Sequence, residues 1–219
     1  MASSCDEAIV KPGEDAEETR ALEAFTKLEV SGCINVTFQK SDVFEVHVEA
    51  GENHIDFVDT DVVGDWLIID ERVVTLGNHE IRAFVRAPNL DEINLNGAGD
   101  IDASGLDAEV IDLRIAGSGD MNIDSISDYM VASISGSGDF TLVGATGDLD
   151  LSIKGSGDIN ARNFDSEYAE VHVNGSGDIK VQVFQELFAS IDGSGDIHYW
   201  GNPEIVNTNI SGSGDIVEH

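Results

Sequence analysis

Leu113-Arg114-Ile115-Ala116-Gly117-Ser118-Gly119-Asp120-Met121-Asn122-Ile123 is the stretch from which the fold is read. Leu113, Ile115, Met121 and Ile123 share one parity with Gly117 and Gly119, while Ser118 and Asp120 take the other. A period of two is the signature of a strand with one buried face. The glycines therefore fall on the inward side, where the missing Cβ lets the backbone bend or approach a neighbour closely. Ser118 and Asp120 are expected to point outward at a corner, unless positive φ at the glycines breaks the alternation there.

The same tetrapeptide, Gly-Ser-Gly-Asp or once Gly-Ala-Gly-Asp, occurs seven times, ending at Asp100, Asp120, Asp139, Asp158, Asp178, Asp196 and Asp215, so the intervals are 18 to 20 residues. Fourteen of the 23 glycines lie in these motifs, which makes glycine a positional requirement and not a sign of general flexibility. Apolar columns flank every copy: Leu95, Ile115, Ile134, Ile153, Val173, Ile191 and Ile210 before it, and Ile101, Met121, Phe140, Ile159, Ile179, Ile197 and Ile216 after it. A unit of about 19 residues cannot bury such a face alone, but stacked copies can. The spacing predicts an all-β chain with a single-stranded parallel β-helix, a solenoid rising ~4.8 Å per coil. The winding is expected to be right-handed. A propeller needs blades of about twice this period. Leu106, Ile126, Phe164 and Phe184 are expected to complete the wall in mid-coil.

The remainder divides by pattern. Residues 1–20 are polar and acidic with Pro12-Gly13 as a breaker, and read as a flexible tether. Residues 21–90 alternate as strands without the tetrapeptide, as in Leu28-x-Val30-x-Gly32-x-Ile34-x-Val36-x-Phe38 and in Phe44, Val46, Val48 and Ala50. They are expected to start or cap the stack formed by residues 91–219. Because the chain stops just after the seventh motif, the last coil is expected to be open. An open β end invites a second copy or coverage by the preceding segment.

With 11 basic and 43 acidic residues the formal charge is −32. Such a chain has no basic stripe with which to neutralise phosphates, so nucleic acid is not expected as a partner and docking on anionic lipid is disfavoured. The two cysteines, Cys5 and Cys33, are too few for a disulfide framework, and no apolar run reaches the length of a membrane span. Ala2-Ser3-Ser4-Cys5 followed by Asp6-Glu7 reads as the trimmed end of a lipoprotein signal, with Cys5 the lipidated residue and a secretion leader upstream.

The sharpest chemistry is the aspartate file. Carboxylates stacked ~4.8 Å apart repel by about 0.9 kcal/mol per pair even in water. Either backbone N–H groups at each corner offset this, as is common for Asp in turns, or a cation such as calcium bridges the file. The first reading is preferred, so calcium is not expected to be needed for folding, and no cofactor is implied. Arg114, Lys154, Arg162 and Lys180 occupy different repeat positions, and pairs such as Asp148-x-Asp150 read as solvated surface, so no catalytic residues are assigned. His47, His54, His79, His172, His198 and His219 form no metal-spaced cluster along the chain, and Asn78-His79-Glu80 lacks a second histidine four residues on. His47, His172 and Cys33 fall on outward strand positions, the last as an inert thiol. Tyr199, Trp200 and Phe188 read as core filling or an end cap in preference to a carbohydrate platform.

The run Glu18-Thr19-Arg20-Ala21-Leu22-Glu23-Ala24-Phe25, then Leu28-Glu29-Val30-Ser31-Gly32, Asn35-Val36, Val46-His47-Val48-Glu49-Ala50, Trp66-Leu67-Ile68-Ile69, Pro88-Asn89-Leu90 and the Gly-Ser-Gly-Asp series resembles the GIN domain family, the head of auto-transporter adhesins, over residues 18–219. The resemblance implies a β-helical, non-enzymatic protein of the cell envelope, periplasmic or surface-exposed, that binds a protein or glycan. The chain shows no translocator barrel, which favours a lipid-anchored or periplasmic form. Two alternatives stand beside it: a carbohydrate-active β-helix enzyme, and a calcium-binding repeat protein. Calcium-binding solenoids place a second glycine turn in each coil, a turn this sequence lacks.

Overall fold

The apolar columns of the repeat converge on one continuous core. In the computed structural model, which describes residues 13–72 and 80–219, the described chain is almost entirely strand. In order these are β1 (Asp15–Ala21), β2 (Lys27–Gly32), β3 (Ile34–Lys40), β4 (Glu45–Gly51), a 3₁₀ turn at Ile55–Phe57, β5 (Val58–Val63), β6 (Trp66–Glu71), β7 (Ile81–Ala87) and β8 (Glu92–Gly97). The repeat supplies β9 (Ile101–Ile115), β10 (Met121–Gly136), β11 (Phe140–Gly155), β12 (Ile159–Gly175), β13 (Ile179–Gly193), β14 (Ile197–Trp200), β15 (Ile205–Gly212) and β16 (Ile216–Glu218).

From β9 to β13 each strand is one whole coil, paired in parallel with the next. Equivalent residues stack: Met121 lies opposite Ile101 on one side and Phe140 on the other. Variation in coil length is absorbed as register shifts in mid-coil, at Asp124/Ser125, Thr141/Val143 and Ala161/Asp165, leaving the glycine corner in strict register.

That corner shows why glycine is required. A Cβ on Gly138 would stand 2.0 Å from the carbonyl oxygen of Gly119, and one on Gly136 2.0 Å from that of Gly117. No side chain fits between backbones this close, so successive coils meet main chain to main chain. Gly136 carries φ +156°, yet alternation survives: Gly138 is buried while Ser137 and Asp139 face solvent.

The amino-terminal portion both starts and caps the stack, out of chain order. β2 has β8 on one side and β6 on the other, all parallel, and β3 likewise lies between β9 and β7. The coil of β6 and β7 therefore sits beneath that of β2 and β3, although it follows in sequence. Antiparallel strands close this end: β4 on β7, β1 on β4, and β5 on β6. The tether expected over residues 1–20 is corrected by this arrangement, because residues 15–20 lie in β1. That strand pairs along its length with β4, which supplies the hydrogen-bonding edge that composition alone does not reveal. Residues 1–12, with Cys5, lie outside the described residues.

At the other end the described strands finish with β15 and β16. Among the described residues β15 pairs only with β13, all eight of its residues are exposed, and Ile210, which continues the column of Ile191, is 47% exposed. The mid-coil expectation holds for Leu106 and Phe164 and fails for Ile126 and Phe184, which are 63% and 41% exposed. Strand alternation runs on through the corner, carrying Ser125 and Ser127 inward with Ile123 and turning Ile126 out. The buried hydroxyls are partly satisfied across coils, Ser127 Oγ donating to Thr146 Oγ1 at 3.0 Å.

Candidate binding surface

The predicted aspartates form a hydrogen-bonded ladder. The backbone N–H of Asp120 donates to Asp100 Oδ1 at 3.0 Å, that of Asp139 to Asp120 at 2.9 Å, and those of Asp158, Asp178, Asp196 and Asp215 each to the preceding carboxylate at 2.8 Å. The file begins one coil earlier than the repeat: Asn35 Oδ1 accepts from the N–H of Asp100 at 2.9 Å, while its Nδ2 donates to Glu80. One oxygen of each carboxylate from Asp100 to Asp196 thus serves the backbone of the next coil, and the charge-assisted bond offsets the repulsion along the file. Among the described residues, the aspartates do not form a group with three ligand atoms converging on one point.

The other predicted positions are scattered. Cys33 is an exposed free thiol on the outer surface, as its parity indicated. His54 is buried with Nε2 3.1 Å from Glu71 Oε1, and His172 lies outward between Glu170 and Ser190. His79 lies outside the described residues. Tyr199 is core, and Trp200 is covered by the Arg162 guanidinium at 4.6 Å and stacked on His219. Only Phe188 of that trio is exposed, at 48%.

Phe188 belongs to a surface that sequence reasoning missed. Where β9 to β15 run side by side, Val110, Tyr129, Asp148, Tyr168, Glu186 and Ile205 occupy one outward file in register. Two residues along, a parallel file holds Glu92, Asp112, Val131, Asp150, Glu170 and Phe188. Tyr129 and Tyr168 are 38% and 45% exposed. Being two coils apart, their backbones are separated by ~9.6 Å. A shallow hollow of about 280 Å³ lies among these residues, floored by Leu149 and Ala169.

Charge is distributed unevenly along this face. At the amino-terminal end Lys27 pairs with Glu92 at 2.8 Å, and Arg114 with Glu92 at 3.2 Å and with Asp112. The bond to Glu92 raises the Lys27 pKa above its ordinary value. Burial pushes the Asp112 carboxyl up, and Arg114 opposes the shift. At the carboxy-terminal end, among the described residues, no Lys or Arg is ion-paired with Asp148, Asp150, Glu170 or Glu186, and only His172 approaches Glu170, at 2.9 Å. Burial, then the neighbouring Glu170, raises the Asp150 pKa, and burial with the surrounding carboxylates raises that of Tyr129. The result is aromatic rings interleaved with carboxylates that no Lys or Arg of the described chain matches. Such a surface attracts cations through both the carboxylates and the ring faces.

A family model described as "Putative auto-transporter adhesin, head GIN domain" matches residues 24–203. No curated protein matches the chain at a significant level. Among solved structures, one described as "a putative adhesin" from Bacteroides fragilis NCTC 9343 superposes with a TM-score of 0.90 at 22% identity, covering 96% of this chain and 100% of that one. Another so described, from Parabacteroides merdae ATCC 43184, gives 0.76 at 20% identity and covers 96% and 98%. A "putative lipid binding protein" from Parabacteroides distasonis ATCC 8503 gives 0.76 at 23% identity and covers 97% and 100%. At these identities the likeness establishes the fold.

Proposed function

The chain belongs to the GIN domain family, and from that premise we propose that it is a non-enzymatic, adhesin-like scaffold of the cell envelope, holding a basic partner against the face of Tyr129, Tyr168 and Phe188. The observation that carries this reading is the row of outward aromatics among carboxylates that no Lys or Arg of the described chain neutralises. A rigid sheet fixes the rings before binding, so little ordering entropy opposes association. The surrounding charge speeds encounter with a cationic partner and repels anionic ones. The adhesin descriptions of the family and of similar structures support a surface role. Three elements of the reading are proposals in their own right: lipid anchoring through Cys5, folding without calcium, and self-association through the open edge of β15.

The test is binding of an arginine-rich peptide and of a neutral glycan array to the intact chain, followed by fluorescence anisotropy at two salt concentrations. The expected result is peptide binding that weakens with salt, and at least tenfold more in a Tyr129→Ala/Tyr168→Ala variant. Salt-independent glycan binding on the same face would replace the basic partner with a sugar. Turnover of any glycan would overturn the non-enzymatic reading.

A further inference from the structure

Glu17, His47 and Glu49 are brought together by the cap, far apart in sequence. β1 and β4 pair so that Glu17 faces Glu49 and Thr19 faces His47. Like charges directly opposite on antiparallel strands are destabilising. Here the imidazole lies between them: His47 Nε2 is 3.6 Å from Glu17 Oε2 and 3.7 Å from Glu49 Oε1. One ligand atom from each of the three residues lies within 4.8 Å of the other two. The second ring nitrogen is fixed, Nδ1 standing 2.9 Å from Thr19 Oγ1. In the tautomer that donates from Nδ1 to Thr19, the Nε2 lone pair points at the two carboxylates. A hydrogen bond on the remote nitrogen is the arrangement that orients a metal-bound histidine.

Among the described residues no Lys or Arg is ion-paired with Glu17 or Glu49, although Arg82 lies directly opposite Glu49 across β4 and β7 and feels its charge. From β7, Phe84 packs beside the His47 ring at 6.0 Å between centroids. Arg82 pairs with Glu80, and Arg86 with Glu45 and Gln39. The groups facing His47 are thus Glu17 and Thr19 on β1, Glu45 and Glu49 on β4, and Phe84 with its two flanking arginines on β7.

We propose that Glu17, His47 and Glu49 bind a divalent transition-metal ion of the zinc class, one nitrogen and two carboxylate oxygens holding it and a fourth position open to water. Zinc bound at ~2.0–2.2 Å in tetrahedral geometry needs ligand atoms roughly 3.3–3.6 Å apart; the 3.6 and 3.7 Å approaches to His47 are near that spacing, and the two carboxylate oxygens, within 4.8 Å of each other, can be drawn together by the swing of two long side chains. The consequence is mechanical. Among the described residues β1 pairs as a strand only with β4, with Arg20 near its end bonded to Val58, Thr60 and Ile55, and the ion fastens it at its middle.

The experiment is titration of the intact, metal-free chain with Zn²⁺ by calorimetry, and with Co²⁺ by absorption, in wild type and in His47→Asn, Glu17→Gln and His172→Ala variants. One ion per chain is expected, with affinity falling at least tenfold in His47→Asn and Glu17→Gln and unchanged in His172→Ala. Amide exchange in β1 should slow on adding the ion. Glu17 is exposed, so its variant folds and keeps the test valid should His47→Asn unfold. The proposal is overturned by the absence of saturable binding in wild type, or by binding that His47→Asn and Glu17→Gln leave intact. Protection of β1 that is the same with and without added metal would overturn the fastening role.

Discussion

Replacing Asp139 by Asn separates the two things a ladder carboxylate does. Its Oδ1 accepts the N–H of Asp158 at 2.8 Å, and its charge stands between those of Asp120 and Asp158. Asn35 already performs the first task without the second, accepting from Asp100 at 2.9 Å. Two neighbours at ~4.8 Å repel Asp139 by about 1.7 kcal/mol in water without salt. With a screening length of about 30 Å at 0.01 M most of this remains, whereas at 1 M, where it is about 3 Å, roughly a fifth does. Against this, a charged acceptor is worth about 1 kcal/mol more than a neutral one. The substitution should therefore stabilise the fold by about 0.5 kcal/mol at 0.01 M and destabilise it by a similar amount at 1 M, a reversal of sign. Asp139→Ala, which removes the acceptor as well, should destabilise at both. Urea denaturation of the three proteins at the two salt concentrations measures this. An Asn variant whose effect is the same at both, or as damaging as Ala, would refute the ladder argument and point to a bound cation along the file.

The glycine corner and the tyrosine face yield further predictions. Gly138→Ala places a methyl 2.0 Å from the Gly119 carbonyl oxygen and must force neighbouring coils apart; it should cost on the order of 3 kcal/mol or more in chemical denaturation. Gly105→Ala, with nothing within 4 Å but φ +74°, should cost only about 1 kcal/mol of backbone strain. Asp150 has a folded-state pKa raised by burial and by Glu170, so its ionisation opposes folding. The folded state binds the extra proton, stability falls as pH rises through the raised pKa, and Asp150→Asn should stabilise at neutral pH with the gain vanishing in acid below the ordinary carboxylate range. Thermal melts at about pH 7 and about pH 3, either side of that range, test it, and an unchanged difference between the two would contradict the shift.

What the sequence reveals and conceals follows from how local each signal is. The columns around Gly-Ser-Gly-Asp are local and periodic, so the coil, its inward face and the outward aspartates are legible before any coordinates. Ile126 and Phe184 are misread because an apolar residue at a corner carries no parity of its own; the strand leading into it decides. The insertion of β2 and β3 between β6–β7 and β8–β9 leaves no trace in spacing, since pairing partners are chosen by three-dimensional fit. Tyr129 and Tyr168 become a surface only when coils are stacked, although their 39-residue separation equals two coils and was the available clue. The approach of Glu17 to His47 depends on an antiparallel pairing across 30 residues, which no local pattern encodes.

The ladder and the tyrosine face both rest on coils stacking in single steps, and one distance tests that directly. Asp102, Asn122, Thr141, Asn160 and Lys180 form an outward file through four successive pairings. Spin labels on cysteines replacing Asp102 and Lys180, in a Cys5→Ser/Cys33→Ser background, should report one narrow distribution about the ~19 Å that four strand spacings give, allowing for label length. A broad distribution, or one centred well beyond that length, would contradict the stacked files and with them the binding face.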